Sequence, residues 1–314
     1  PQRVVVTGSN LKRINIETAS PVQIIGREEI LRTGSTSLTE VLKSVASNIG
    51  GVDENRTNGF SAGAQGLNLR GIGSQGTLML INGRRLAAYA QPEFQTTFVD
   101  LNSIPVGAVE RIEILKGPQG PLYGAGALGG VYRIVTHAVD LGAVDANATI
   151  TTQISTAGGN VGGSGNAMLN LPIIADALGL RAVVYGESVP GWINDGGGSG
   201  QAPRRGINSS RMSGGRMALR WQPAPGWNLA LAGTAQYARG ADSQYVNDAR
   251  SLTRTGILPE PHDNHFTNVR LSAAGPVGDA HFLYSGSMTW HEVDAYLDAT
   301  AAAPLFGRTG PTRF

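Results

Sequence analysis

The chain has 314 residues, 25 basic against 23 acidic side chains, a formal net charge of +2 and no cysteine. With 41% hydrophobic and 15% charged residues it is not a charge-rich disordered chain, and without cysteine it holds neither a disulfide framework nor a thiolate zinc site. Its 44 glycines are about twice the usual ~7% share but follow no Gly-X-Y period, which excludes collagen and fits a chain of many strands and loops.

The length suits roughly two domains or one large all-β unit. Only Lys12, Lys43 and Lys116 are lysines, and no basic run gives a nucleic-acid footprint. No apolar run approaches the ~18–20 residues of a membrane helix; the longest candidate, Leu171–Val184, is interrupted by Pro172, Asp176 and Arg181. No charged n-region followed by an apolar h-region opens the chain, so a signal peptide is expected to be absent from it.

Helix and strand signals alternate up to about residue 140. Arg3-Val4-Val5-Val6-Thr7 is a short β-prone run, and Val22 to Ile25 reads as a strand ended by Gly26. Ser37-Leu38-Thr39-Glu40 is a capping box, and Leu38, Val41, Leu42 and Val45 then recur at helical spacing. Leu67 to Gly71 and Thr77 to Ile81 read as strands. Asn82-Gly83 signals a tight turn, since both residues tolerate positive φ. Val109 to Leu115 alternates apolar and charged residues like a half-buried strand, and Gly129 to Thr136 reads as one more. This half is expected to be a small mixed α/β domain.

After residue 140 the helical signals vanish and period-two alternation takes over. Seven strands are expected, around Ala148–Ile154, Ala167–Leu171, Leu180–Glu187, Arg216–Trp221, Asn228–Tyr237, Val269–Ala273 and His281–His291. In the last, Phe282, Tyr284, Met288 and Trp290 oppose His281, Ser285, Ser287, Thr289 and His291. Short connections (Pro172–Gly179, Gln222–Trp227, Gly275–Ala280) alternate with long polar ones (Val189–Ser210, Ala238–His265), the first gap being intermediate. Outer-membrane barrels show this asymmetry of short turns and long loops, with alternating strands and interfacial aromatics. A soluble β-sandwich also alternates, but here polar faces carry Arg and His while apolar faces carry Trp and Tyr near strand ends, which favours a barrel wall.

In order along the first half, Leu67-Asn68-Leu69-Arg70-Gly71, Leu80-Ile81-Asn82-Gly83-Arg84-Arg85, Leu101 to Pro105, Val109-Glu110-Arg111-Ile112-Glu113 running on to Pro118, Leu122-Tyr123-Gly124 and Gly129-Gly130-Val131 resemble the plug domain of TonB-dependent outer-membrane receptors. Two departures stand out: Gln119 to Pro121 adds a second proline before Leu-Tyr-Gly, and Tyr132-Arg133 replaces an aliphatic residue and Asn. The resemblance implies a fold class of a mixed α/β plug followed by antiparallel transmembrane β-barrel strands, here an incomplete barrel of about seven. It divides the chain into a TonB-box-like segment and linker (1–20), a plug (21–140) and the N-terminal portion of a barrel (141–314). It implies TonB-dependent uptake of a scarce nutrient (a siderophore-iron, vitamin B12-like or glycan ligand) across the bacterial outer membrane. Arg3, Val4, Val5, Val6 and Thr7 resemble the TonB box, whose extended β-branched character suits strand addition; ExbB and ExbD would act indirectly through TonB, and outer-membrane lipid would surround the strands. By motif, Arg70 and Arg111, with Glu113 nearby, would be plug–barrel contacts. The substrate-binding residues stay unknown.

Receptors of this family have about 22 strands, needing well over ~400 residues, and 174 residues remain after 140. An eight-stranded barrel is filled by its own side chains, so the chain is expected to be an N-terminal fragment that alone transports nothing. No cofactor, metal or nucleic acid is expected, nor enzyme activity, because no nucleophile, base and orienter converge. The Gly71–Gly76 and Gly124–Gly129 strings match GxGxxG but lead into strands, whereas a dinucleotide site needs a helix there. His262-Asp263-Asn264-His265 reads as an exposed polar loop rather than a metal site, and Phe314 as a coincidental terminal aromatic. The alternative is a soluble ligand- or TonB-binding module with a small β domain.

Overall fold

The computed structural model describes residues 22–33, 38–50, 64–86, 88, 99–101, 104–155, 160–197 and 202–313. These form two compact units, the first running to His137 and the second starting at Ala138. No helix among the described residues is long and apolar enough to cross a membrane.

In the first unit, strands β1 (Val22–Gly26), β2 (Thr77–Ile81), β3 (Arg84–Arg85), β4 (Val109–Lys116) and β5 (Gly130–Thr136) form one sheet in the order β1-β4-β5-β2-β3. Every pairing is antiparallel except β2 with β5. Helices α1 (Arg27–Arg32) and α2 (Leu38–Lys43) supply Ile30, Leu38, Val41 and Leu42 to a core shared with Met79, Ile112, Ile114, Tyr132 and Ile134. A second, smaller core of Leu78, Leu80, Leu115, Ala127 and Val131 covers the other face beside Tyr123 of α3 (Gly120–Tyr123). Because both faces are covered, the expected half-buried alternation of β4 is corrected: Val109 and the run Ile112 to Leu115 are all buried.

The helix at Leu38 forms as its spacing predicts, with Val45 also buried at 3% exposure; the capping Ser37 lies outside the described residues. The turn at Asn82-Gly83 forms too, with φ of 49° and 80°. Asn82 does more than turn the chain. Its side chain donates to Thr136 Oγ1 at 2.8 Å and accepts from the Thr136 amide at 2.9 Å, tying the hairpin to the end of β5.

The expected strand at Leu67 to Gly71 is a correction. Among the described residues it is extended but joins no sheet, making only an isolated bridge from Leu69 to Asn48. The Leu69 amide donates instead to Thr77 Oγ1 at 2.8 Å, and consecutive positive φ at Arg70 (65°) and Gly71 (71°) reverse the chain. Leu67 and Leu69 are buried in the main core, so an extended but unpaired segment shows the same alternation as a strand. Helix α1, in turn, buries only Ile30. One buried residue makes no period, and the helix is held from outside: the Arg27 guanidinium donates to the Val106 carbonyl at 2.8 Å.

The second unit contains a seven-stranded antiparallel meander: β6 (Asp145–Ile154), β7 (Val161–Ile174), β8 (Leu178–Val189), β10 (Ser210–Trp221), β11 (Asn228–Gly240), β13 (His262–Val277) and β14 (Ala280–Ala295). Each is hydrogen-bonded to the next in sequence, and β6 and β14 are not bonded to each other, so the sheet does not close. All seven expected strands are present and longer than their alternating cores suggest. Pro172, expected in a connection, sits inside β7 at a register shift between Pro172 and Ile174, one of the few places where a strand tolerates a residue without an amide proton. The expected loop at His262 to His265 is likewise corrected: it is the start of β13, at the long-connection end, with His262 and Asn264 buried.

Register fixes which side chains share a face. Ile150, Leu169, Val184, Met217, Leu231, Val269, Leu271 and Met288 lie on one face and are all at least 40% exposed. At the short-turn end the same face carries Trp221, Phe282 and Tyr284, with Trp227 packed 6.1 Å from Phe282 between ring centroids; toward the long connections it carries Trp290 and Tyr237. From Phe282 to Trp290 is eight residues of β14, about 26 Å along a strand at ~3.3 Å per residue. The other face holds Asn170, Arg181, Gln236, His262 and Asn264 among its buried residues.

Candidate functional site

Two clusters of polar side chains stand out, one in each unit. In the first, Glu113 of β4 is wholly buried and accepts from Arg111 Nε on its own strand and from Arg133 Nη1 across the β4–β5 pair, both at 2.9 Å. Arg111 also pairs with Glu110 at 2.7 Å. A buried carboxylate is tolerated only when paired and hydrogen-bonded, and here each carboxylate oxygen has its own guanidinium. Of the three expected contact residues, Arg111 and Glu113 are therefore brought together. Arg70 lies elsewhere, exposed in the positive-φ turn with its guanidinium close over Gly117. Sequence reasoning missed Arg133 as the second partner of Glu113 and treated it only as a departure, although a cation directly opposite an acid on a neighbouring strand is a stabilising pair. The box-like residues Arg3 to Thr7 lie outside the described residues.

In the second unit the described parts of the long connections, 190–197 with 202–209 and 241–261, lie at one end of the meander with the segment after β14, and they are folded onto one another. β9 (Asn194–Asp195) and β12 (Thr253–Arg254) form a parallel pair that joins the two loops. Arg254, 1% exposed, is held between Asp242 and Glu260 and stacks 4.5 Å over the Tyr245 ring. Burial works against its charge, but the two carboxylates hold the Arg254 guanidinium above its ordinary pKa. Asn208 Oδ1 accepts the amides of Trp192 and Ile193, both at 2.8 Å. Asp298 accepts the Ile257 and Leu258 amides at 2.7 and 3.0 Å, while its own amide donates to Glu260 Oε1 at 2.8 Å.

Asp195 pairs with Arg204 at 2.8 Å. Burial would raise the Asp195 carboxyl, but Arg204 and the Gly197 amide hold it below the ordinary value. Nothing in the spacing of these residues announces the network, because its members pair at irregular separations of 6 to 41 positions. What the arrangement can do is plain chemically: a small polar core fixes loops that would otherwise be mobile, and so fixes the surface they present. His262 and His265 alternate about the β13 strand rather than converging, and among the described residues no group of three His, Cys, Asp or Glu side chains could hold a metal ion. The two GxGxxG strings run into β2 and β5, so neither meets a helix N-terminus of the kind a dinucleotide needs.

Residues 15–131 match the TonB-dependent receptor plug domain family. Over 133 residues the chain is 34% identical to a vitamin B12 transporter, BtuB, of Vibrio vulnificus (strain CMCP6), a match spanning 42% of this chain and 20% of that protein. Solved structures with the same fold include the ferric yersiniabactin uptake receptor FyuA of Yersinia pestis, at a TM-score of 0.67 and 17% identity, covering 88% of this chain and 42% of that one. The ferric enterobactin receptor PfeA of Pseudomonas aeruginosa, in a mutant form, gives a TM-score of 0.63 at 19% identity over 94% of this chain and 44% of that one. The chain thus spans less than half the length of each of these relatives. Its first unit is a plug domain of the TonB-dependent receptor family, and the chain has the fold of such a receptor's plug followed by a seven-stranded, unclosed part of the barrel.

Proposed function

We propose that this chain serves TonB-dependent uptake of a scarce small molecule across the bacterial outer membrane. The observation that carries this is the continuous apolar face of the meander, bracketed by aromatic residues about 26 Å apart along the strand, which is about 20 Å of height at a strand tilt of ~40° and close to the ~25 Å apolar band of a membrane barrel, in a chain whose first unit is a plug. In this reading the strands form part of a membrane wall, the joined long connections meet the ligand on the outer side, and Arg3 to Thr7 add as a strand to TonB. The relatives named for vitamin B12 and for ferric siderophores support a metal-chelate or cobalamin-like cargo. Arg70 and Arg111 take the role of plug–barrel contacts, with Glu113 orienting Arg111.

Capture of the chain by purified TonB, with and without residues 1–8, tests the partner. Capture that survives the deletion would remove the box from the mechanism. Uptake of cobalamin or a ferric siderophore by cells expressing the 314-residue chain tests the transport arithmetic: none is expected from seven strands that do not close. A chain that stays monomeric without detergent would favour the soluble module instead.

A further inference from the structure

Toward the long connections, the apolar face of the meander ends in charged side chains whose places are set by register. Arg211 stands directly opposite Arg239, Arg239 opposite Asp263, and Asp263 opposite Asp294. One row therefore crosses β10, β11, β13 and β14 with two cations on one side and two carboxylates on the other. The next row on the same face is Ser213, Tyr237, His265 and Glu292, and the row after it Gly215, Ala235, Thr267 and Trp290.

Two cations directly opposite each other in an antiparallel pair repel, and the acidic half of the row offsets this only in part. Arg239 Nε is 3.8 Å from Asp263 Oδ1, an oxygen that already accepts a 2.7 Å bond from the Tyr237 hydroxyl. Arg211 forms no ion pair among the described residues. Both arginines are exposed, Arg239 with 61% of its side chain accessible. Below them, between β10 and β11, Gly215, Ala235 and Gly233 leave a shallow lane running into the apolar belt beside exposed Met217. A side chain built at Gly233 would meet nothing within 4 Å.

We propose that Arg211 and Arg239 bind the phosphate of a phosphorylated lipid of the outer leaflet, with an acyl chain lying in the lane beneath. The proposal rests on the membrane reading of the strands given above. Two guanidinium forks side by side match the oxygens of a phosphate, and the anion relieves the repulsion between them. Asp263 and Asp294 repel the same group, so the headgroup sits over β10 and β11 rather than β13 and β14. A lipid is favoured over a free anion because the pair lies on the face that carries the apolar belt, with only the Ser213–Tyr237 row between it and the lane.

The test uses the full chain in nonionic detergent, titrated with diphosphoryl lipid A, with the same glycolipid stripped of phosphate, and with inorganic phosphate. The variant is Arg211→Gln with Arg239→Gln, checked for unchanged β-sheet circular dichroism, and Arg308→Gln is the charge control. The phosphorylated lipid is expected to bind, and both the double variant and removal of the phosphates are expected to weaken it about tenfold or more. Arg308→Gln should leave it unchanged. Equal binding by the double variant, or equal binding of the stripped lipid, overturns the proposal. Displacement by inorganic phosphate makes this a free-anion site, and self-association lost in the double variant makes it a contact between copies; each of these overturns it as well. A separate arm measures quenching of the fluorescence of the four tryptophans by brominated phosphatidylcholine vesicles, Trp221 and Trp290 being the two on the apolar face. Quenching without any lipid preference sinks this site alone, whereas no quenching removes the membrane reading and the site with it.

Discussion

Glu113 and Tyr132 show how two neighbouring β-strands handle buried polar atoms in opposite ways. Glu113 is fully buried and doubly bonded to Arg111 and Arg133; removing one member of such a set strands the others. Glu113→Ala is therefore expected to cost the plug about 3–5 kcal/mol, measured by chemical denaturation, and a loss well under 1 kcal/mol would show the pair to be no better than a surface one. Tyr132 is also fully buried, within the main core, and its hydroxyl has no hydrogen-bond partner among the described residues. Burial pushes its phenol well above the ordinary value of 10.0. The folded state thus favours the neutral phenol, so stability is intact below pH 10.0 and falls as pH rises beyond it. Tyr132→Phe should flatten that alkaline fall and raise stability at neutral pH by about 1 kcal/mol, the cost of an unsatisfied hydroxyl. A denaturation midpoint lowered by the substitution would mean that the hydroxyl has a partner after all.

Among the elements, the β2–β3 hairpin and the joined loops are held by different means. The hairpin depends on backbone conformation: Gly83 sits at φ 80°, and Gly83→Ala is expected to cost about 1 kcal/mol through strain, visible as a lowered unfolding midpoint of the plug. The loops are held by a polar network with the Arg254 guanidinium at its most buried point. Arg254→Met leaves Asp242 and Glu260 buried without a cation, so proteolysis should cut within 190–209 and 241–261 faster while the circular dichroism of the sheet stays unchanged. Equal cutting rates in variant and parent would mean the loops are fixed by other contacts. Acid should loosen the same region. Burial opposes the ionised forms of Asp195 and Asp298, but hydrogen bonds from Arg204 and Gly197, and from Thr300, Leu258 and Ile257, hold both carboxyls below 3.8. Their contribution is present above that value and lost as pH falls through the lowered range.

At the scale of the whole molecule, the meander has an apolar face, a polar face and two strands, β6 and β14, that have no neighbour on their outer side among the described residues. Open edges and a continuous exposed apolar surface drive association in water. Light scattering should show large aggregates without detergent and discrete particles with it, and discrete particles in plain buffer would speak against a lipid-facing sheet. The existence and order of these strands, the Leu38 helix and the Asn82-Gly83 turn were all legible in the sequence, because each is written in a local period or a local φ requirement. The extent of β7 and β13, the unpaired course of Leu67 to Gly71 and the single-residue anchor of α1 were not, because cross-strand partners decide them. The same division holds for the polar sites. The motif resemblance marked Arg111 and Glu113, two positions apart on one strand, as expected contact residues; only the tertiary structure bonded them to each other, set Arg133 opposite Glu113, closed Asp242 and Glu260 around Arg254, and put Arg211 beside Arg239. Charges in strands find their partners through register, and register is fixed by which faces of the sheet can be buried and which must meet solvent or lipid.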